Sequence, residues 1–197
     1  MAKLDPNQKK LLLIFSLFLL PLLGAMLWYL FLPSGYRPGH TTNNGELILP
    51  VYPVQAFEQN DLQHQSFSGA DLEKIWTLVH LLDAPCDEAC SKSLYDTRQI
   101  RIALGKDIDR VQRVVVAATP ELAQNESKMW ASHPDLKVLL GNEKGLSAQI
   151  HQHTQDPANT VYLIDPMGNL MMKFSPELEP ELLMKDLQKL LRLSHIG

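Results

Sequence analysis

The sequence predicts an α/β domain, a central mixed sheet flanked by helices, carried behind a single N-terminal transmembrane helix. Three observations carry this prediction. Leu11–Leu32 is an uncharged run of 22 residues, and about 20 apolar residues span a bilayer as a helix. From Ile75 onward, short β-branched segments alternate with segments of helical period, the signature of parallel strands joined by helices. Near the end, two apolar strands flank Asp165-Pro166-Met167-Gly168, with Asp, Pro and Gly at the positions that a type I turn prefers.

Taken in order, residues 1–10 form a polar N-terminus, 11–32 an anchor, 33–45 a tether and 46–197 the globular domain. A cleaved leader has an apolar stretch of roughly 7–15 residues, so the longer run favours a retained anchor. Pro21, Gly24 and Ala25 are the residues that would serve cleavage. Lys3, Lys9 and Lys10 precede the span, whereas only Arg37 follows closely. The positive-inside rule then keeps the N-terminus cytoplasmic and the domain exported, at the bacterial inner membrane with the domain in the periplasm. Trp28 and Tyr29 fall near the outer end, either as rings at headgroup level or as lipid-facing bulk. The tether, PSGYRPGHTTNNG, offers almost nothing to bury.

Charge excludes one class of partner. The chain has a formal charge of −4, but residues 1–32 hold three Lys and one Asp, so the rest carries 15 basic and 21 acidic residues. Without a basic stripe, nucleic-acid binding lacks its electrostatic footprint.

Residues 46–69 read as edge strands or a hairpin, broken by Pro50 and Pro53. Ile75–Leu82 is a strand buried on both faces. Residues 87–104 form a helix with Ala89, Leu94, Ile100 and Leu104 inward, and Val111–Ala118 is the next parallel strand. Pro120–Trp130 follows as helix, Leu136–Leu140 as strand and Leu146–His153 as a short helix. Thr160–Ile164 and Leu170–Phe174 form the hairpin. From Pro180 a terminal helix places Leu183, Leu187, Leu190 and Leu191 at helical spacing, with basic residues to His195 at its end.

The only cysteines, Cys86 and Cys90, stand where the first buried strand passes into a helix, and this order of elements is the thioredoxin topology. A helix N-terminus carries partial positive charge that stabilises a thiolate. Cys86, at the junction, is the expected nucleophile. Cys90, one turn on along the same face, can resolve a mixed disulfide or share a metal. A purely structural bond is the competing expectation, but a loop of five residues restrains the unfolded chain by only about 2 kcal/mol. Asp83, Asp87 and Glu88 oppose the helix dipole, raising a thiol pKa while attracting a cation.

Trp76 ten residues before Cys86, the CxxxC pair, Leu94 beyond it, the Tyr162-Leu163-Ile164-Asp165-Pro166-Met167-Gly168 hairpin and the anchor together resemble the Sco/SenC family over residues 46–195. The resemblance implies a membrane-tethered thioredoxin fold, copper bound by both cysteines and a distant histidine, and help in assembling the copper site of cytochrome c oxidase. It gives Cys86 and Cys90 the ligand or thiol role. Five residues before Tyr162, where the family keeps its histidine, stands Pro157, with Asp156 matching the preceding acid. The Phe-Gly-Phe-Thr of the family is Leu81-Leu82-Asp83-Ala84, and its Cys-Pro-Asp-Val-Cys is Cys86-Asp87-Glu88-Ala89-Cys90.

His151 and His153 are the candidate substitutes for the third copper ligand, with solvated loop histidines as the alternative. His80 reads as a hydrogen-bonded core residue and Met167, Met171 and Met172 as packing residues. Pro157 is a candidate cis-proline opposite the cysteines. Three functions stay open: a thiol–disulfide oxidoreductase acting on a partner such as an oxidase subunit, a Cu(I) carrier, and a non-catalytic docking protein.

Overall fold

A computed structural model describes residues 5–31, 42–194 and 196. Met1–Leu4, Leu32, residues 33–41 with Arg37, His195, Gly197 and the side chains of Tyr29 and Phe31 lie outside the described residues. The chain divides into two compact units, Met1–Thr42 and Asn43–Gly197. In the first, α1 (Pro6–Phe31) is long and apolar enough over Pro6–Trp28 to cross a membrane, and its described side chains are almost all exposed.

The second unit is built on a six-stranded mixed sheet. Its strands are β1 (Glu46–Pro53), β4 (Trp76–Leu82), β5 (Val111–Ala117), β6 (Leu136–Leu140), β7 (Val161–Ile164) and β8 (Asn169–Phe174), in the spatial order β1-β8-β7-β4-β5-β6. A separate small hairpin joins β2 (Glu58–Asn60) to β3 (Ser66–Ser68). β4, β5 and β6 run parallel, and β7, β8 and β1 add on antiparallel to one another. β4 and β5 are each paired on both sides, which is why their sequences are nearly continuous apolar runs. At the turn between β7 and β8, Gly168 N–H donates to the Asp165 carbonyl at 2.9 Å and Gly168 sits at φ +81°. The Asp165 carboxylate accepts from the amides of Met167 and Asn169, closing the expected hairpin.

Alternation along the strands assigns the faces. Leu78 and Val111 point to the face covered by α2 (Glu88–Ala103) and α6 (Pro180–Leu193), where Ile100, Leu183, Leu187 and Leu191 meet them. Leu82, Val115 and Ala117 continue that face toward Cys90, Leu94 and Trp130. Val79, Val114 and Val116 point to the other face, under α5 (Leu146–His153) and the β2–β3 hairpin.

Two helix expectations change. Cys90, Leu94, Thr97 and Ile100 are the buried residues of α2, whereas Ala89 is exposed. Leu94, Ile100 and Leu104 face inward as expected, and Asp87 is the N-cap, accepting the Cys90 amide at 2.8 Å. The stretch 120–130 is two short helices, α3 (Pro120–Asn125) and α4 (Ser127–Ala131), broken at Glu126, whose ψ of 16° leaves the helical range. Pro157 is not preceded by a cis bond; among the described residues the cis peptide is Leu49–Pro50. The loop at Asp156 is instead held by Tyr162 and Lys173, which donate to the Asp156 carboxylate.

Candidate functional site: a disulfide at the start of α2

Cys86 and Cys90 are joined by a disulfide with their Cα atoms 5.3 Å apart. The two sulfur-bearing residues are not equivalent. Cys90 lies in the first turn of α2 and is 8% exposed, packed with Leu82 and Leu94, while Cys86 precedes the N-cap and is half-buried. Cys86 is thus the more accessible of the two, and Cys90 lies at the positive end of a helix. The Cys86 amide donates to Glu126 Oε1 at 3.2 Å, tying the cysteine loop to the α3–α4 corner. Ser91 Oγ lies 3.8 Å from Cys86 Sγ and donates to Met129 Sδ at 3.8 Å. Asp87, Glu88 and Glu126 line this end with carboxylates, which disfavour a thiolate and favour a cation.

Beneath α2 lies a buried polar cluster that the sequence reading missed except for His80. Arg113, on β5, is fully buried among valines. Its guanidinium donates to the Leu94 carbonyl at 2.6 Å, to Thr97 Oγ1 at 3.2 Å and to Asp135 at 3.1 Å. His80 Nε2 lies 3.1 Å from the same Thr97 hydroxyl. Thr97 Oγ1 also lies 3.0 Å from the Ser93 carbonyl, so this hydroxyl links the strand side chains to the α2 backbone. Burial first, then the nearby Arg113 and His133, push the His80 pKa down to about 3. Burial likewise lowers that of His133, assisted by Arg113 and Arg98 and opposed by Asp135. The cluster fixes α2, and with it Cys90, against the centre of the sheet. An Arg inside a β-branched run was its one sequence signal, since such a charge is buried only with a partner.

The remaining candidates are scattered. His151 Nε2 pairs with Asp83 at 3.3 Å, both half-exposed, so its ring stands beside the loop that leads into Cys86. His153 stacks on Tyr52 of β1 with ring centroids 3.8 Å apart. Among the described residues no group of three His, Cys, Asp or Glu side chains is arranged to hold a metal. Met172 is buried and Met171 partly so, in keeping with packing roles, but Met167 is 75% exposed at the hairpin turn.

Comparison with solved structures gives the same architecture. Copper-bound ScoI from Bradyrhizobium japonicum is similar at 22% identity and a TM-score of 0.56, covering 70% of this chain and 98% of that one. Apo Sco1 from Thermus thermophilus is similar at 21% identity and a TM-score of 0.62, covering 77% and 99%. BsSco, a member of the Sco family of cytochrome c oxidase assembly proteins described with a disulfide switch, is similar at 14% identity and a TM-score of 0.54, covering 78% and 98%. At these identities the likeness is one of fold, and the expected Sco-like thioredoxin architecture is met. No curated protein sequence matches the chain. The family described as transmembrane-like, thioredoxin-like, C-terminal domain matches residues 76–194, from the first residue of β4 to just past α6, and the chain belongs to that family.

Proposed function

We propose that this protein is a membrane-anchored thiol–disulfide oxidoreductase that acts on the cysteines of a partner protein, the copper-site subunit of cytochrome c oxidase. Its α1 anchors it in the inner membrane with the N-terminus cytoplasmic and the domain periplasmic. The observation that carries the reading is the asymmetric short-loop disulfide at the start of α2, with Cys86 accessible and Cys90 buried. A partner thiolate attacks Cys86 Sγ, the Cys86–Cys90 bond breaks, and Cys90 departs with the electron pair and takes a proton from solvent. A second partner thiolate then attacks the partner sulfur of the mixed disulfide and expels Cys86 as a thiolate. The partner loses two electrons and the cysteine pair gains two; the same steps reversed reduce a partner disulfide.

A glutathione redox titration of the full chain in detergent tests this. The expected result is a reversible two-electron couple above about −300 mV, whereas a potential below that marks a structural bond and a docking role.

A second reading, a Cu(I) carrier, is favoured by the donor chemistry. Reduction frees two thiolates, the soft ligands that select Cu(I), in a ring of carboxylates that attracts cations. Cu(I) would then be cargo held by Cys86 and Cys90, with a third ligand in place of the histidine absent at Pro157.

A further inference from the structure

We propose that Met129 is the third Cu(I) ligand, its thioether joining the thiolates of Cys86 and Cys90; this rests on the Cu(I)-carrier reading. Met129 stands on α4, three residues after Glu126 and so on the same face of the chain turn. Glu126 is fixed to Cys86 through the Cys86 amide. Cys86 and Met129 pack against the same apolar cluster, with Leu122 beside them. One hydroxyl, that of Ser91, contacts both Cys86 Sγ and Met129 Sδ.

That hydroxyl gives the Met129 sulfur a direction. Here Met129 is half-buried and its Sδ is aimed at the cysteine-bearing helix as a hydrogen-bond acceptor. Its three rotatable side-chain bonds let the sulfur advance past Ser91 once reduction parts the disulfide. A thioether is neutral, so it adds no charge to a site already flanked by Asp87, Glu88 and Glu126. It is also soft, matching the metal that two thiolates select. His151, by contrast, is held on Asp83, and His153 on Tyr52.

The test uses the reduced full chain in detergent under anaerobic conditions, titrated with Cu(I) against bathocuproine disulfonate. Met129→Leu is expected to weaken binding by at least about tenfold, the order of effect seen on losing a metal-site contact. In selenomethionine-substituted chain, copper X-ray absorption should show a Cu–Se path that disappears with Met129→Leu, a readout independent of the variant's affinity. Cysteine-dependent binding with no Cu–Se path, or with undiminished affinity in Met129→Leu, overturns the assignment alone; loss with His151→Ala and not with Met129→Leu gives the position to His151. Absence of Cu(I) binding by the parent chain overturns the carrier reading and Met129 with it.

Discussion

Lowering the pH from 7 to 5 should cost residues 43–197 about 2 kcal/mol of stability through His80 alone. In the folded state its ring stays neutral down to about pH 3, because burial against Arg113 and His133 opposes a charge. In the unfolded chain the same ring takes up a proton below about pH 6.5. Its stabilising contribution is thus fully present above pH 6.5 and is lost as the pH falls toward 3, at a limiting slope of about 1.4 kcal/mol per pH unit. Integrated from pH 7 to 5, a single such proton gives the figure of about 2 kcal/mol. His133, also shifted down, adds loss of the same sign. Urea unfolding followed by tryptophan fluorescence at pH 7, 6 and 5 measures the total, and His80→Gln isolates the share of His80. The variant should be less stable than the parent at pH 7, since the Thr97 contact is altered, yet its stability should fall less steeply with acid. Parallel pH profiles for parent and variant would refute the argument that His80 is held neutral.

Other expectations follow from the same neighbourhood. Asp135→Ala leaves the fully buried Arg113 without its carboxylate and should cost about 3–5 kcal/mol in urea unfolding. Cys86→Ser/Cys90→Ser should lower stability by only about 2 kcal/mol, as a five-residue loop dictates, while abolishing thiol exchange with a dithiol peptide in a stopped-flow assay. Gly141→Ala should cost about 1–3 kcal/mol by thermal unfolding, because a Cβ there would stand 2.8 Å from the Ala117 carbonyl oxygen, which already accepts the Gly141 amide.

Much of the fold was legible because its signals are local. The β4 run, the Asp165–Gly168 turn and the leucine spacing of α6 each specify an element without reference to the rest of the chain. In α2 the apolar spacing placed Leu94 and Ile100 inward correctly but not the first turn. That turn begins at the Asp87 cap, with Cys90 inward and Ala89 out. The break at Glu126 was hidden for a similar reason, since its carboxylate serves a residue 40 positions earlier. The cysteines announced themselves, whereas Arg113 could be placed only by knowing that Asp135 and the carbonyl of Leu94 would meet it. Met129 escaped notice because a methionine in a helix looks like packing until its sulfur has a direction.

The position of β1 bears on how the protein is made. This strand pairs with β8, and the amides of Asn44 and Gly45 just before it donate to Asp186, 142 and 141 residues further on. Synthesis from the N-terminus therefore delivers the first strand of the domain long before either partner exists. Throughout that interval Leu47, Ile48, Leu49 and Val51 form an unpaired apolar segment, the kind that seeks a strand from another chain. Pro50 and Pro53 interrupt it, each removing an amide that an intruding strand would need. The prolines that make this stretch poor as a strand in isolation thus act as guards, keeping an early-emerging edge free until the last helix of the chain arrives to receive it.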